Sequence, residues 1–124
     1  MAKSPPPPVL IVEDDQGIRD IVKQLLEYHG FKTYTAVHGQ DALDQLATLP
    51  ELPLILMDVM MPVLDGWSTL AIIRQKPEWK KVPVVILSAG ADTPQILDDP
   101  FLRFLRKPLR MAELVVLVQS LCPS

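Results

Sequence analysis

Short apolar segments alternate with amphipathic segments along the whole of this 124-residue chain. The apolar segments have the length of β-strands, and three of them contain almost no polar residue before their last position. Strands of this kind are typical of a parallel sheet that crossover helices cover on both faces. The alternation therefore predicts an α/β fold with a doubly wound, five-stranded parallel sheet. The predicted strands occupy residues 9–12, 31–36, 54–58, 84–88 and 101–106.

The amphipathic segments carry apolar residues at helical spacing. Gly30 and Pro50 follow the first two segments and provide stop signals for helices. Between the fourth and fifth strands, Pro94 and Pro100 leave room for little more than one helical turn. We therefore expect the helix at that place, the fourth in chain order, to be shortened or missing. The other helices are predicted near residues 18–26, 39–47, 66–75 and 111–121.

Acidic side chains follow the first and third predicted strands. Glu13 and Asp14 come directly after the first strand, and Asp58 ends the third. In the flavodoxin-like strand order 2-1-3-4-5, strands one and three flank the switch point of the sheet, where open α/β folds bind their ligands. We therefore expect the three carboxylates to meet in one crevice. The alternative is structural, with Asp58 in a turn and the acidic run capping the next helix, a role that suits Asp15 best.

Three carboxylates in one pocket cannot all stay ionised unless a cation accompanies them. Oxygen ligands of this kind suit Mg²⁺, with Mn²⁺ as the alternative ion, and the chain has no cluster of His and Cys that would favour Zn²⁺. Ser88 ends the fourth strand with a hydroxyl, and Lys107 follows the fifth with an ammonium group. Each of these is common in turns or on surfaces, but together they add polar groups at the same edge of the sheet.

Composition limits the domain organisation and the classes of partner. The chain is 48% hydrophobic and has a net charge of −3 without a Lys/Arg run, so neither nucleic acid nor a membrane surface is an expected partner. Residues 1–8 are proline-rich and read as an extended arm, and residues 9–122 as one domain. No apolar stretch reaches the roughly 20 residues of a membrane span. The N-terminus is unlike a signal sequence, and we expect a cytoplasmic protein.

From Val9 to Leu121 the sequence resembles the receiver domain of two-component response regulators, and the single-domain type is expected because only three residues follow Leu121. The resemblance rests on the acidic pair, on Asp58 with the Met-Pro and Asp-Gly steps after it, and on the Ser and Lys-Pro at later strand ends. It implies that Asp58 accepts a phosphoryl group, with Lys107 and Ser88 as the other catalytic residues. It assigns the metal to Glu13, Asp14, Asp58 and the backbone carbonyl of Met60.

The resemblance also implies a function. A sensor histidine kinase or a histidine phosphotransfer protein would donate the phosphoryl group from a phosphohistidine, in a reaction that depends on Mg²⁺. Ser88 and Phe104 would then form a two-state switch that changes the binding of a downstream protein. The alternative for Phe104 is a plain core residue of its strand. Such a protein is not an enzyme in the usual sense, because it catalyses only its own phosphorylation and dephosphorylation.

Two other classes of function remain open from the sequence. The first is a receiver-like scaffold that binds partners without being phosphorylated, although the complete acidic site argues against it. The second is a flavin-binding electron carrier on the same sheet order. A flavin phosphate would need Ser, Thr and Gly after the first strand, where this chain has Glu13, Asp14 and Asp15.

The sequence departs from the family pattern at several places that affect its output. The stretch between Ser88 and Lys107 is shorter than usual, so the surface around the fourth helix should be remodelled. Arg110 stands where a capping side chain is usual, so the last helix should begin less firmly. Met60 and Gly90 lack side chains that orient an attacking water, which predicts slow loss of the phosphoryl group. The Lys107–Pro108 bond is expected to be cis, as is usual in the family.

Overall fold

The computed structural model describes residues 6–88 and 98–121. Within these residues five parallel strands form one sheet in the order β2-β1-β3-β4-β5, which confirms the predicted fold class and strand order. The carbonyl of the buried Pro8, the residue before the first strand, also accepts a hydrogen bond from Leu54 N. The strands are β1 (Val9–Val12), β2 (Thr33–Ala36), β3 (Leu54–Asp58), β4 (Val84–Ser88) and β5 (Leu102–Arg106).

Helices connect the strands and cover both faces of the sheet. The described residues contain α1 (Gln16–Tyr28), α2 (Gly39–Leu46), α3 (Gly66–Gln75) and α4 (Met111–Ser120), with a 3₁₀ turn at Pro77–Trp79. These four correspond to the four full helices that the apolar spacing predicts. The shortened helix expected between β4 and β5 falls largely on residues 89–97, which lie outside the described residues. None of the helices in the described ranges is long and apolar enough to cross a bilayer.

The sheet separates two hydrophobic cores, which explains why its central strands are apolar without interruption. Successive side chains along a strand point to opposite faces. Leu10 and Val12 therefore pack with α2 and α3, while Val9 and Ile11 pack with α1 and α4. The same division applies to β3 and β4, whose residues are all buried. In β3 and β4, polar side chains are consequently confined to the strand ends.

Side-chain caps fix the beginnings of three helices. The carboxylate of Asp15 accepts from Ile18 N at 3.0 Å, as the sequence predicts for the start of α1. Asp65 accepts from Ser68 N at 2.7 Å at the start of α3, and His38 Nδ1 accepts from Asp41 N at the start of α2. In the described part of the chain no side chain caps α4 at Arg110, so the predicted lack of a cap is confirmed.

Candidate functional site

The ends of β1 and β3 bring three carboxylates together. These two strands are neighbours, with Val12 paired to Met57, so the residues that follow them emerge side by side. Oxygen atoms of Glu13, Asp14 and Asp58 all lie within 4.8 Å of one another. Glu13 and Asp58 are buried, whereas Asp14 is exposed. The structure thus places the acidic residues in the common crevice that the strand order predicts.

Lys107 supplies the positive charge of this crevice. Its Nζ donates to Asp58 Oδ1 at 2.7 Å, and its side chain is 35% exposed. The position of Lys107 is fixed by its backbone N–H, which donates to Ser88 O at 2.8 Å, and the following Lys107–Pro108 bond is cis as expected. Burial lowers the pKa of Lys107, but the hydrogen bond and charge of Asp58, together with the other carboxylates, outweigh it and raise the pKa overall. The lysine therefore stays charged.

The surroundings of Glu13 disfavour the ionised form of its carboxylate. Burial raises its pKa, and the charge of Asp58 adds to this effect; the hydrogen bond from Asp15 N opposes both, and the resulting pKa is about 7. Oε2 accepts from Asp15 N at 3.2 Å. Oε1 is buried and has no hydrogen-bond partner among the described residues. A buried carboxylate oxygen without a donor is costly, and a cation or a proton at this atom would offset the cost.

The residues of the crevice fit a hard divalent cation. All three side chains offer oxygen, the charge of Lys107 balances only one of the three carboxylates, and Glu13 Oε1 is without a donor. This is the chemistry that the sequence predicts for Mg²⁺ or Mn²⁺. Met60, the fourth predicted ligand through its carbonyl, lies two residues after β3, and its side chain is 72% exposed.

The loop between β3 and α3 folds back against the backbone of Asp58. Gly66 N donates to Val59 O at 2.9 Å, and a Cβ on Gly66 would lie 2.5 Å from Asp58 O. Only glycine permits this approach, so the Asp-Gly step of the sequence has a steric reason. Val63 has a φ of 67°, a left-handed conformation that is unfavourable for a β-branched residue. Sequence reasoning did not identify this strain, because Val63 carries no turn signal.

Phe104, the predicted switch aromatic, lies on β5 and is 43% exposed, so it is not a buried core residue. Its ring contacts that of Trp67 on α3, with centroids 6.0 Å apart and an interplanar angle of 49°. The sequence identified Trp67 only as an apolar residue of a helix. Ser88, the other predicted switch residue, is buried at the end of β4.

Residues 9–119 match the family model of the response regulator receiver domain. The chain belongs to this family. The match spans most of the domain predicted at residues 9–122, and its limits agree with the sheet and helices described above.

Several proteins of known name are similar to this receiver domain. It is 33% identical to the protein PilG of Pseudomonas aeruginosa over 94% of this chain and 87% of that one. It is 35% identical to the transcriptional regulatory protein CpxR of Escherichia coli over 91% of this chain, but spans only 48% of CpxR. A solved receiver domain of sensor histidine kinase PA1611 from P. aeruginosa, with a magnesium ion coordinated in its active site cleft, is 28% identical. Its TM-score is 0.79, with 92% of this chain and 95% of that chain covered.

Of the residues predicted for this receiver site, the structure brings Glu13, Asp14, Asp58 and Lys107 into one crevice. Ser88 ends β4, and Phe104 lies within β5, where it is paired with Ile86. Gly90 is outside the described residues. Sequence reasoning missed Arg19, whose guanidinium donates to the carbonyl of Glu13. The available signal was a cation near the N-terminal end of a helix, where the helix dipole is unfavourable to it.

Proposed function

We propose that this receiver domain is a phosphoryl-accepting switch of a two-component phosphorelay, with Asp58 as the acceptor. The observation that carries the proposal is the pairing of the buried Asp58 with Lys107 at 2.7 Å, inside a pocket that Glu13 and Asp14 complete. The ion pair with Lys107 balances the charge of the buried carboxylate, and a carboxylate oxygen is the nucleophile that forms an acyl phosphate.

The transfer step follows from the two oxygens of Asp58. Oδ1 accepts from Lys107, so the other carboxylate oxygen is the nucleophile. It attacks the phosphorus of a phosphohistidine, and a P–O bond forms as the P–N bond breaks. The electron pair stays on the imidazole nitrogen, and the product is an aspartyl phosphate. The ammonium group of Lys107 is placed to stabilise the charge on the phosphoryl oxygens.

Glu13, Asp14 and Asp58 would hold Mg²⁺, or Mn²⁺, together with the carbonyl of Met60. Bound there, the ion would neutralise the carboxylates and the negative charge of the incoming phosphoryl group. The unsatisfied Oε1 of Glu13 supports this assignment. Hydrolysis of the product restores Asp58 when a water oxygen attacks phosphorus and orthophosphate leaves, so the domain catalyses only its own phosphorylation and dephosphorylation.

Ser88 and Phe104 would change conformation in response to phosphorylation. New phosphoryl oxygens would attract the Ser88 hydroxyl, and Phe104 would leave Trp67 and turn inward. The contact between the two rings makes this step measurable, because phosphorylation should change the Trp67 emission of the wild-type protein. The same change in Phe104→Leu would contradict the role of Phe104.

The partners that we propose are a histidine kinase or a histidine phosphotransfer protein as donor, and an unidentified downstream protein as target, all in the cytoplasm. The relatives support kinase-related signalling, since sensor histidine kinases are among the proteins that match. We also propose that the phosphorylated form is long-lived, because the exposed Met60 side chain cannot orient a water for attack. Decay of the aspartyl phosphate measured by mass spectrometry tests this, and a half-life of seconds would contradict it.

A small phosphodonor tests the proposed function directly. Phosphoramidate with MgCl₂ should add one phosphoryl group to the wild-type protein, and chelation of the metal should prevent the addition. Asp58→Asn should abolish labelling, whereas Asp20→Asn, which removes an exposed carboxylate from α1, should leave it intact. Labelling that persists in Asp58→Asn would refute the assignment of Asp58. Failure of the wild-type protein to label would favour the unphosphorylated scaffold.

A further inference from the structure

Arg19 occupies an unexpected position at the beginning of α1. It is the fourth residue of the helix, near the N-terminal end, where the helix dipole disfavours a cation. Its guanidinium does not form an ion pair with a carboxylate within the described residues. Instead, Nη1 donates to the backbone carbonyl of Glu13 at 2.8 Å, in a partly buried contact. Neither helix stability nor surface charge pairing accounts for this arrangement.

The hydrogen bond from Arg19 is one of three that hold the backbone and side chain of Glu13 in place. The backbone N–H of Glu13 donates to Ala36 O at 3.0 Å, which ties it to the end of β2. Oε2 accepts from Asp15 N, and the carbonyl accepts from Arg19. Of the polar atoms of Glu13, only Oε1 has no hydrogen-bond partner within the described residues, and it is buried in the acidic crevice. Every other polar atom of Glu13 is therefore used to hold this one oxygen in place.

We propose that Arg19 is a positioning residue for the divalent cation, acting through the backbone of Glu13 and not by contact with the ion. The inference rests on the proposed function, because it requires that the crevice binds Mg²⁺. Partners that orient metal ligands change metal affinity by about 10- to 100-fold in other proteins when they are removed. A backbone contact lies at the lower end of that range, so we expect a loss of about tenfold.

Electrostatics alone predicts the opposite sign, which makes the inference testable. Arg19 is a cation close to the crevice, so its removal by itself should strengthen the binding of Mg²⁺. Arg19→Met keeps much of the apolar stem of the side chain and removes both the charge and the donors. Positioning predicts weaker binding by this variant, whereas charge repulsion predicts tighter binding.

The experiment is a titration of the metal-free, full chain with MgCl₂, in which NMR chemical shifts of the backbone amides report the binding of the ion. We expect the dissociation constant to rise about tenfold in Arg19→Met and to recover in part in Arg19→Lys, which restores a donor. The matched control is Lys23→Met, which removes a cation from the exposed side of the same helix. Its dissociation constant should stay the same or fall slightly.

Unchanged or tighter binding by Arg19→Met would overturn the inference, and so would an equal loss in Lys23→Met. If Arg19→Met does not fold, Arg19→Gln decides the question, because it removes the charge and the reach of the guanidinium; affinity equal to or tighter than that of the wild type would also overturn the inference. Absence of Mg²⁺ binding in the wild-type protein would instead refute the proposed function. The two failures are thereby distinguished.

Discussion

Replacement of Glu13 by glutamine should stabilise the metal-free protein at high pH. In the folded wild-type protein the pKa of Glu13 is raised from 4.5 to about 7, chiefly because the side chain is buried, and the charge of Asp58 adds to this effect. Between these pH values the folded state keeps a proton that the unfolded state has released. The stability that the protonated group contributes is complete below pH 4.5 and is lost as pH rises through 7. At about 1.36 kcal/mol per pKa unit, the loss at pH 8 is about 3 kcal/mol.

Glu13→Gln removes this titration while it keeps the shape of the side chain. In EDTA, urea unfolding at pH 8 should show the variant to be more stable than the wild type by about 3 kcal/mol, with little difference near pH 4.5. Saturating MgCl₂ should reduce or reverse the difference, because the ion stabilises the state that binds it. Glu27→Gln, on the exposed side of α1, serves as control and should show no such dependence. A difference between Glu13→Gln and the wild type that does not change with pH would refute the reasoning.

Three further variants test the local structure by urea unfolding. Val63→Asn should stabilise the protein by about 1 kcal/mol, because asparagine tolerates the left-handed backbone of this exposed residue; a destabilised variant would contradict the assigned strain. Gly66→Ala should lower the free energy of unfolding by about 2–3 kcal/mol, since the alanine methyl group would clash with Asp58 O. An unchanged free energy would show that the loop shifts to accommodate the methyl group. Asp99→Asn should cost about 2 kcal/mol because it leaves the largely buried Arg74 charge without its 2.7 Å partner, and full stability would show that water replaces the pair.

Much of the fold could be predicted because its pattern is local. Apolar runs and helical spacing are properties of short segments, and they place the strands and the four full helices close to where the structure has them. Capping by Asp15 and the left-handed Gly30, with a φ of 90°, follow from residue type for the same reason. The strand order needed a topological argument as well, since periodicity alone does not determine which strands are neighbours.

The candidate site was predictable in its residues but not in their connections. Carboxyl ends of parallel strands share one edge of the sheet, so Glu13, Asp14 and Asp58 had to lie near one another once the order was known. The sequence predicts Lys107 as a counter-charge for Asp58, but it does not show that Lys107 donates to Oδ1 or that Glu13 retains an oxygen without a donor. These depend on backbone path and side-chain rotamer, which are not encoded by spacing.

The contacts of Arg19, Trp67 and Val63 illustrate the same limit. Each residue acquires its role from a contact outside its own helix or from a loop conformation. The sequence by itself determined the α/β class, the acidic strand ends and the family, because these depend on local pattern and residue type. Only the tertiary structure decided which atoms of the crevice are paired, strained or left unsatisfied, since these depend on the packing of several elements at once.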